Sequence, residues 1–352
     1  MPLRFLVLLG LAVAPASFAV ESTPGVLAVA SYQGADRTER MIAEARKEGE
    51  LMLYSSITQE DQLRLAADFK RRYGITVKSW RGSQANILQR VLSETRGGRF
   101  EVDVMETNAP QLEVLARAKL LQRMNSPFVE QELLPETMPT HGEWAPDRLN
   151  LLVYAYNTDA VKPADVPKSW QDLLGPKWKG RIGMESTNVE WFAALIDSLG
   201  EKPGLDLFRR MGDNGVAVRT GHTHSTGLVI AGEIPVMLGV YSHDVDRMKV
   251  KGAPVNWFVL PPAVVLPSAV AVSRRAPHPG AAALFYDYML TEGQRFYTEV
   301  HRVPANRNYD TPVRRLVRER QAVKIVNAQE AIDDYEKWHD LYKRIIVDRS
   351  QH

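Results

Sequence analysis

Between residues 37 and 121 the chain alternates two hydrophobic periods. Residues 40–48 follow a helical pattern, and 51–55 form a short apolar run with strand character that closes in Ser55-Ser56. Thr58 and Asp61 stand at capping-box spacing before a helix whose Leu65, Phe69 and Tyr73 recur every four residues, and Gly74 ends it. Residues 75–80 alternate as a strand. Ser83 is a candidate cap for the next helix, which sets Ile87, Leu88, Val91 and Leu92 on its inner face. Residues 102–105 read as a third strand, and Pro110 falls in the first turn of another helix. Three strand–helix units in series predict an α/β fold, a mostly parallel sheet with helices on both faces.

In such sheets ligands bind beyond the carboxyl ends of the strands. Those ends are Ser55-Ser56, Arg81-Gly82-Ser83 and Glu106-Thr107-Asn108, all rich in hydrogen-bonding groups. Two of them lead into helix starts, where free backbone N–H groups favour anions. Ordinary capping explains any one of these hydroxyls; three polar strand ends together favour a site.

Further along, residues 151–158 read LLVYAYNT, an apolar strand closing in an Asn-Thr turn. Residues 167–182 carry Pro167, Trp170, Asp172, Trp178 and a Lys179-Gly180-Arg181 strand entry, and 278–294 hold HPGAAALF followed by Leu290 and Glu292-Gly293-Gln294. Residues 221–244 read GHTHSTGLVIAGEIPVMLGVYSHD: a polar loop, a short helix, a buried strand, then Tyr241-Ser242-His243-Asp244. Together these passages, spanning residues 43–308, resemble the bacterial periplasmic solute-binding proteins that serve ABC transporters, those with the type 2 binding-protein fold. The resemblance implies two doubly wound α/β lobes joined by hinge strands near Val153 and Leu260, with a ligand cleft between them. It implies one lobe over residues 37–152 and 261–303 and a second over 153–260 and 304–352. The tail from Tyr309 onward, with Val323, Val326 and Ile332 as an apolar stripe, is expected to be helical and to pack on the second lobe.

The first residues point to export. Arg4 precedes the apolar run 5–14, and Ser17-Phe18-Ala19 places small residues at a cleavage site. The run is too short for a membrane span of roughly 20 residues. Residues 1–19 are therefore expected to be a signal peptide of a periplasmic protein, and 20–36 a loose leader. Cysteine is absent, so a packed core must supply all the stability. The net charge of +2 gives no support to nucleic-acid binding, and any selectivity must come from a local site. The expected partners are a small solute or ion and a transporter permease, with the chain a monomer.

The ferric-ion branch of the resembled superfamily carries two adjacent tyrosines where this chain has Tyr241-Ser242, and some members carry a glutamate near the position of Asn108. Tyr241, His243 and His224 remain candidate metal ligands, for Fe3+ with a synergistic anion, but one phenolate is a poor seat for a hard trivalent ion. The alternative is a small organic anion or oxyanion, with Ser55, Ser56, Ser83, Ser186, Thr187 and Tyr241 as hydroxyl donors. Arg81 would add a charge-assisted bond, with Asn108 and His222 beside it. No cofactor is required by this reading. Neither a phosphate-binding loop nor a nucleophile motif occurs, so catalysis is not expected.

Overall fold

The computed structural model describes residues 21–319 and 322–349; the signal segment expected over 1–19 lies outside the described residues. Nine of the twelve strands among the described residues organise it: β1 (Glu50–Ser55), β2 (Thr76–Arg81), β3 (Val104–Asn108), β4 (Ala145–Asn157), β5 (Ile182–Glu185), β6 (Ala217–Arg219), β7 (Val236–Tyr241), β8 (Val255–Phe258) and β9 (Ala263–Ser273). Their order across the mixed sheet is β2-β1-β3-β9-β4-β7-β5-β6, with β8 also paired to β4. β1 pairs in parallel with β2 and β3, and β5 does so with β6 and β7. These two parallel sets are the two lobes. The antiparallel strands β4 and β9 run between them.

β4 and β9 are buried along their whole length, as strands covered on both faces should be. Their alternation sorts the core. Leu149, Leu151, Val153 and Ala155 of β4 join one cluster with Met237, Val240, Phe69 and Phe285, while Leu152, Tyr154 and Tyr156 join another with Trp178, Trp191, Phe192 and Leu238. The first cluster continues from one lobe into the other along a single face of the sheet.

Several expected boundaries shift. The third strand lies at Val104–Asn108 rather than 102–105, so Glu106 and Asn108 stand on the strand itself. The supposed leader holds a helix, Pro24–Ser31, with Val26 and Ala30 buried against helix Pro279–Leu290. Pro24 suits its first turn, and the Arg37–Asp287 ion pair at 2.8 Å anchors the chain beyond it. The apolar stripe of the tail is not one helix: Val323–Ile325 is a short strand parallel to Ala263–Val265. Residues 335–347 pack on the second lobe, where Tyr342 meets Phe192 at 5.1 Å. Asn306 pairs with Leu133 of the first-lobe range. Among the described residues no helix is long and apolar enough to cross a membrane.

Phe69 is fully buried, with ring centroids 5.0 Å from Phe285 and 5.2 Å from Tyr288. Phe69→Ala should lower the stability of the first lobe by about 3–5 kcal/mol, read as a shift of the urea unfolding midpoint.

Candidate functional site

The strand ends of the two lobes face each other across one cavity of about 280 Å³, close to the lower end of the roughly 300–1,000 Å³ usual for ligand pockets. Ser56, Thr58, Arg81, Ser83, Asn108, Arg148, Asn150 and Arg302 line it on the first-lobe side. His222, Thr223, His224, Tyr241, His243 and Asp244 line it on the second.

Two β-bulges aim the central side chains. On β4, Ser268 pairs with Arg148 and Ala269 with Pro146, which leaves Asp147 as an extra residue. On β7, Val153 pairs with Val240 and Tyr154 with Leu238, which leaves Gly239 over. A bulge bends its strand and re-aims the side chains beside it; here they are Arg148 and Tyr241. Only glycine suits the second bulge. Gly239 has φ 75°, and a Cβ there would lie 2.2 Å from Nδ2 of Asn188, which donates to the Gly239 carbonyl at 2.7 Å.

Arg148 is 3% exposed. Its Nη1 pairs with Glu106 and lies 3.4 Å from Asp147, Nη2 lies 3.5 Å from the Ser56 hydroxyl, and Nε is buried without a partner. Burial alone would lower the guanidinium pKa, but Glu106 and Asp147 outweigh it and hold the group charged. Burial pushes the Asp147 carboxyl up to about 6 although Arg148 opposes it, and the Tyr297 hydroxyl donates to it. Nearby, Asn150 Nδ2 donates to Ser268 Oγ at 2.8 Å, and Ser268 Oγ donates to Asn108 Oδ1 at 2.8 Å. Arg302, also buried, donates from Nε and Nη2 to Asp61 at 3.2 and 2.9 Å and from Nη1 to His243 Nε2 at 3.0 Å.

On the opposite wall the Tyr241 ring stacks between His222, at 4.0 Å and 29°, and His243, at 5.3 Å and 17°. Burial drives the Tyr241 phenol above its ordinary range, with the Asn108 side chain opposing part of that rise. Burial, then the positive field of Arg302, Arg148 and Arg247, holds His243 well below the usual imidazole value. As the acceptor of the Arg302 bond, His243 is neutral with its proton on Nδ1. Burial also lowers His222, although Glu185 and Asp244 pull the other way.

Of the residues singled out in the sequence, Ser56, Arg81, Ser83, Asn108, His222, His224, Tyr241 and His243 meet at the cavity. Ser55, Ser186 and Thr187 do not line it. The Ser55 hydroxyl donates to Glu106 at 2.5 Å, Ser186 bonds Thr220 at 2.8 Å, and Thr187 gives both its hydroxyl and its N–H to Glu185 at 2.6 Å. The Ser83 hydroxyl is engaged as the cap of its helix, accepting from the Asn86 N–H at 3.2 Å. His224 is exposed, and Nε2 of His243 is occupied by Arg302. Among the described residues no three His, Cys, Asp or Glu side chains are arranged to hold a metal ion. Trp191 is core, 1% exposed, and Trp80 packs edge-on against Tyr54.

Arg148, Asn150 and Arg302 were not anticipated; the sequence marks Asp244 only as part of the loop that follows Tyr241. For Arg148 and Asn150 the pattern held a signal, an Asp-Arg pair and an Asn inside an otherwise apolar strand; nothing local marks Arg302.

This frame of two α/β lobes, bridged by two long strands and closing on a polar cavity, is that of a binding protein. The model of the bacterial extracellular solute-binding proteins matches residues 106–333, and the chain belongs to that family, whose members bind solutes. The Fe(3+)-binding periplasmic protein of Serratia marcescens is 28% identical over 169 residues, 47% of this chain and 49% of that protein, so the match spans about half of its length. The fold is similar to iron-bound HitA from Pseudomonas aeruginosa, with a TM-score of 0.73 and 24% identity over 84% of this chain and 99% of the other. It is also similar to AfuA from Actinobacillus pleuropneumoniae with fructose-6-phosphate bound, with a TM-score of 0.72 and 21% identity over 85% and 99%.

Gly239→Ala should destabilise the second lobe by about 1–3 kcal/mol through strain at a positive φ, and it should disturb the Tyr241 stack, read as a change in tyrosine fluorescence. The neutral state of His243 has a pH consequence. The unfolded chain takes up a proton near pH 6.5 while the folded chain resists it, so stability falls as pH drops below that value. Between pH 7.5 and 5.5, His243→Gln should lose less stability than the parent, by up to about 1.4 kcal/mol, in chemical denaturation at the two pH values.

Proposed function

We propose that the chain is the periplasmic solute-binding component of an ABC importer, holding a small organic anion or oxyanion between its lobes for a membrane permease driven by a separate ATPase. One observation carries the anion: Arg81, Arg148 and Arg302 line the cavity against a single lining carboxylate, Asp244. Glu106, Asp147 and Asp61 stand behind two of those arginines and fix their guanidinium planes. An anion between them would gain charge-assisted bonds from pre-oriented donors, with Ser56, Thr58, Asn108 and Tyr241 offering neutral ones. In this proposal residues 1–19 are the cleaved signal, and the first lobe takes in residues 37–152 and 261–303.

A second reading, ferric iron with a synergistic anion, rests on Tyr241 at the end of β7 and on the Serratia relative named for Fe(3+). The physical chemistry weighs against it. A trivalent ion would sit beside Arg148 and Arg302, and its one phenol would have to surrender a proton that burial holds tightly. The synergistic anion would have to offset both costs.

Native mass spectrometry of residues 20–352, purified without added metal or chelator, separates the two. A retained organic or phosphate-type mass that survives chelator supports the anion, and a metal mass lost in Tyr241→Phe supports iron. With the retained anion as titrant, the double variant Glu106→Gln/Arg148→Gln keeps the buried pair neutral while removing one charged donor. It should weaken binding by about 1.5–3 kcal/mol, roughly tenfold to more than a hundredfold, in isothermal titration. Unchanged affinity would remove Arg148 from the site.

A further inference from the structure

Asp61 occupies a place that helix capping alone does not explain. It lies in the first turn of helix Gln59–Tyr73, where its own N–H is already bonded to Thr58 Oγ1 at 3.3 Å. Its side chain is 2% exposed. One oxygen, Oδ2, accepts three N–H bonds: from Arg302 Nε and Nη2 at 3.2 and 2.9 Å, and from Arg247 Nη2 at 3.2 Å.

The two arginines come from different lobes. Arg302 immediately precedes Val303–Pro304, which pairs with Leu149 and Arg148 at the first-lobe end of β4. Arg247 is on helix Ser242–Val250, which follows β7 and packs on β8 in the second lobe. The bond from Arg302 to His243 at 3.0 Å crosses the same gap in the other direction. Asp61, Arg302, Arg247 and His243 therefore form one chain of charge-assisted bonds between the lobes, beside the cavity that Arg302 and His243 line.

We infer that Asp61 is a positioning residue: by sharing its carboxylate between Arg302 and Arg247 it latches the two lobes together and, in the same contact, turns Arg302 toward the solute. A buried carboxylate holds such donors more firmly than an exposed one. The latch raises the population of the closed form before any solute arrives, and a solute's apparent affinity rises with the population of the form that binds it. The role of Arg302 in facing the solute rests on the anion reading; the latch itself does not.

The absence of cysteine makes the test direct. Leu63 on the first-lobe helix and Val250 at the end of the second-lobe helix are 59% and 71% exposed, so Leu63→Cys and Val250→Cys can carry one spin label on each lobe. In pulsed EPR without solute, the parent should give a short, narrow distance distribution. Arg247→Gln should add a longer, broader population, and Arg247→Lys, which retains the charge, should restore most of the short one. Asp61→Asn should lengthen the distance as Arg247→Gln does. Superimposable parent and Arg247→Gln distributions would overturn the latch, as would an Arg247→Lys variant no different from Arg247→Gln. Adding inorganic phosphate as probe separates the two proposals. Tighter closure of the parent by phosphate supports an anion site, and the Arg247→Gln comparison without phosphate decides the latch whatever phosphate does.

Discussion

The ion pair between Arg148 and Glu106 is the constraint around which the site is arranged. Arg148 stands on a strand whose every residue is buried, where an isolated charge would cost many kcal/mol. Glu106 meets that demand from β3 and is itself steadied by the Ser55 hydroxyl and the Ser56 N–H from β1. The pair thus ties three strands together at the level of the cavity. Asp147, the extra residue of the bulge, adds a second carboxyl, and Tyr297 supplies that carboxyl's donor. Hydroxyls that looked in the sequence like ligand donors are partly consumed in paying for this charge.

The same positive charge shapes the facing wall. Burial, reinforced by the buried guanidinium groups of Arg302 and Arg148, makes protonation of His243 unfavourable, and a neutral imidazole is what Arg302 needs as an acceptor. His222, Tyr241 and His243 therefore stack as three uncharged rings. The stack offers flat apolar faces and neutral hydrogen-bonding edges beside the carboxylate of Asp244, whereas the opposite wall carries Arg81, Arg148 and Arg302.

Much of the framework was legible in the sequence because it depends on period and punctuation. The strand–helix alternation of the first lobe, the Thr58 and Ser83 caps and the strand before Tyr241 follow from local pattern, and all recur in the structure. The long-range partners were not legible. Whether a serine hydroxyl faces a solute or a buried carboxylate depends on residues far away in sequence: Ser55 and Glu106 are 51 positions apart, and Asp61 and Arg302 are 241 apart. Local reading treats Ser55, Ser186 and Thr187 as equals of Ser56, and only tertiary pairing separates them. The bulges at Asp147 and Gly239 were partly legible, since a charge pair and a glycine interrupt apolar strands there, but the side chains they redirect follow from register.

How the lobes could separate follows from where the apolar packing runs. The larger core cluster continues along one face of β4 and β9 from the first lobe into the second, so pulling the lobes directly apart would tear apolar contacts and expose them to water. A rotation that bends those two strands keeps that face packed and opens only the polar side, where Asp61–Arg247 and Arg302–His243 cross the gap. Polar contacts exchange for water at little net cost, about 0.5–1.5 kcal/mol for an ordinary hydrogen bond and more where charge is involved. Open and closed forms of such a molecule differ chiefly in a few such bonds rather than in core burial. Small changes at the mouth then shift the balance as strongly as changes among the residues that would touch the solute, and affinity becomes tunable without rebuilding the site.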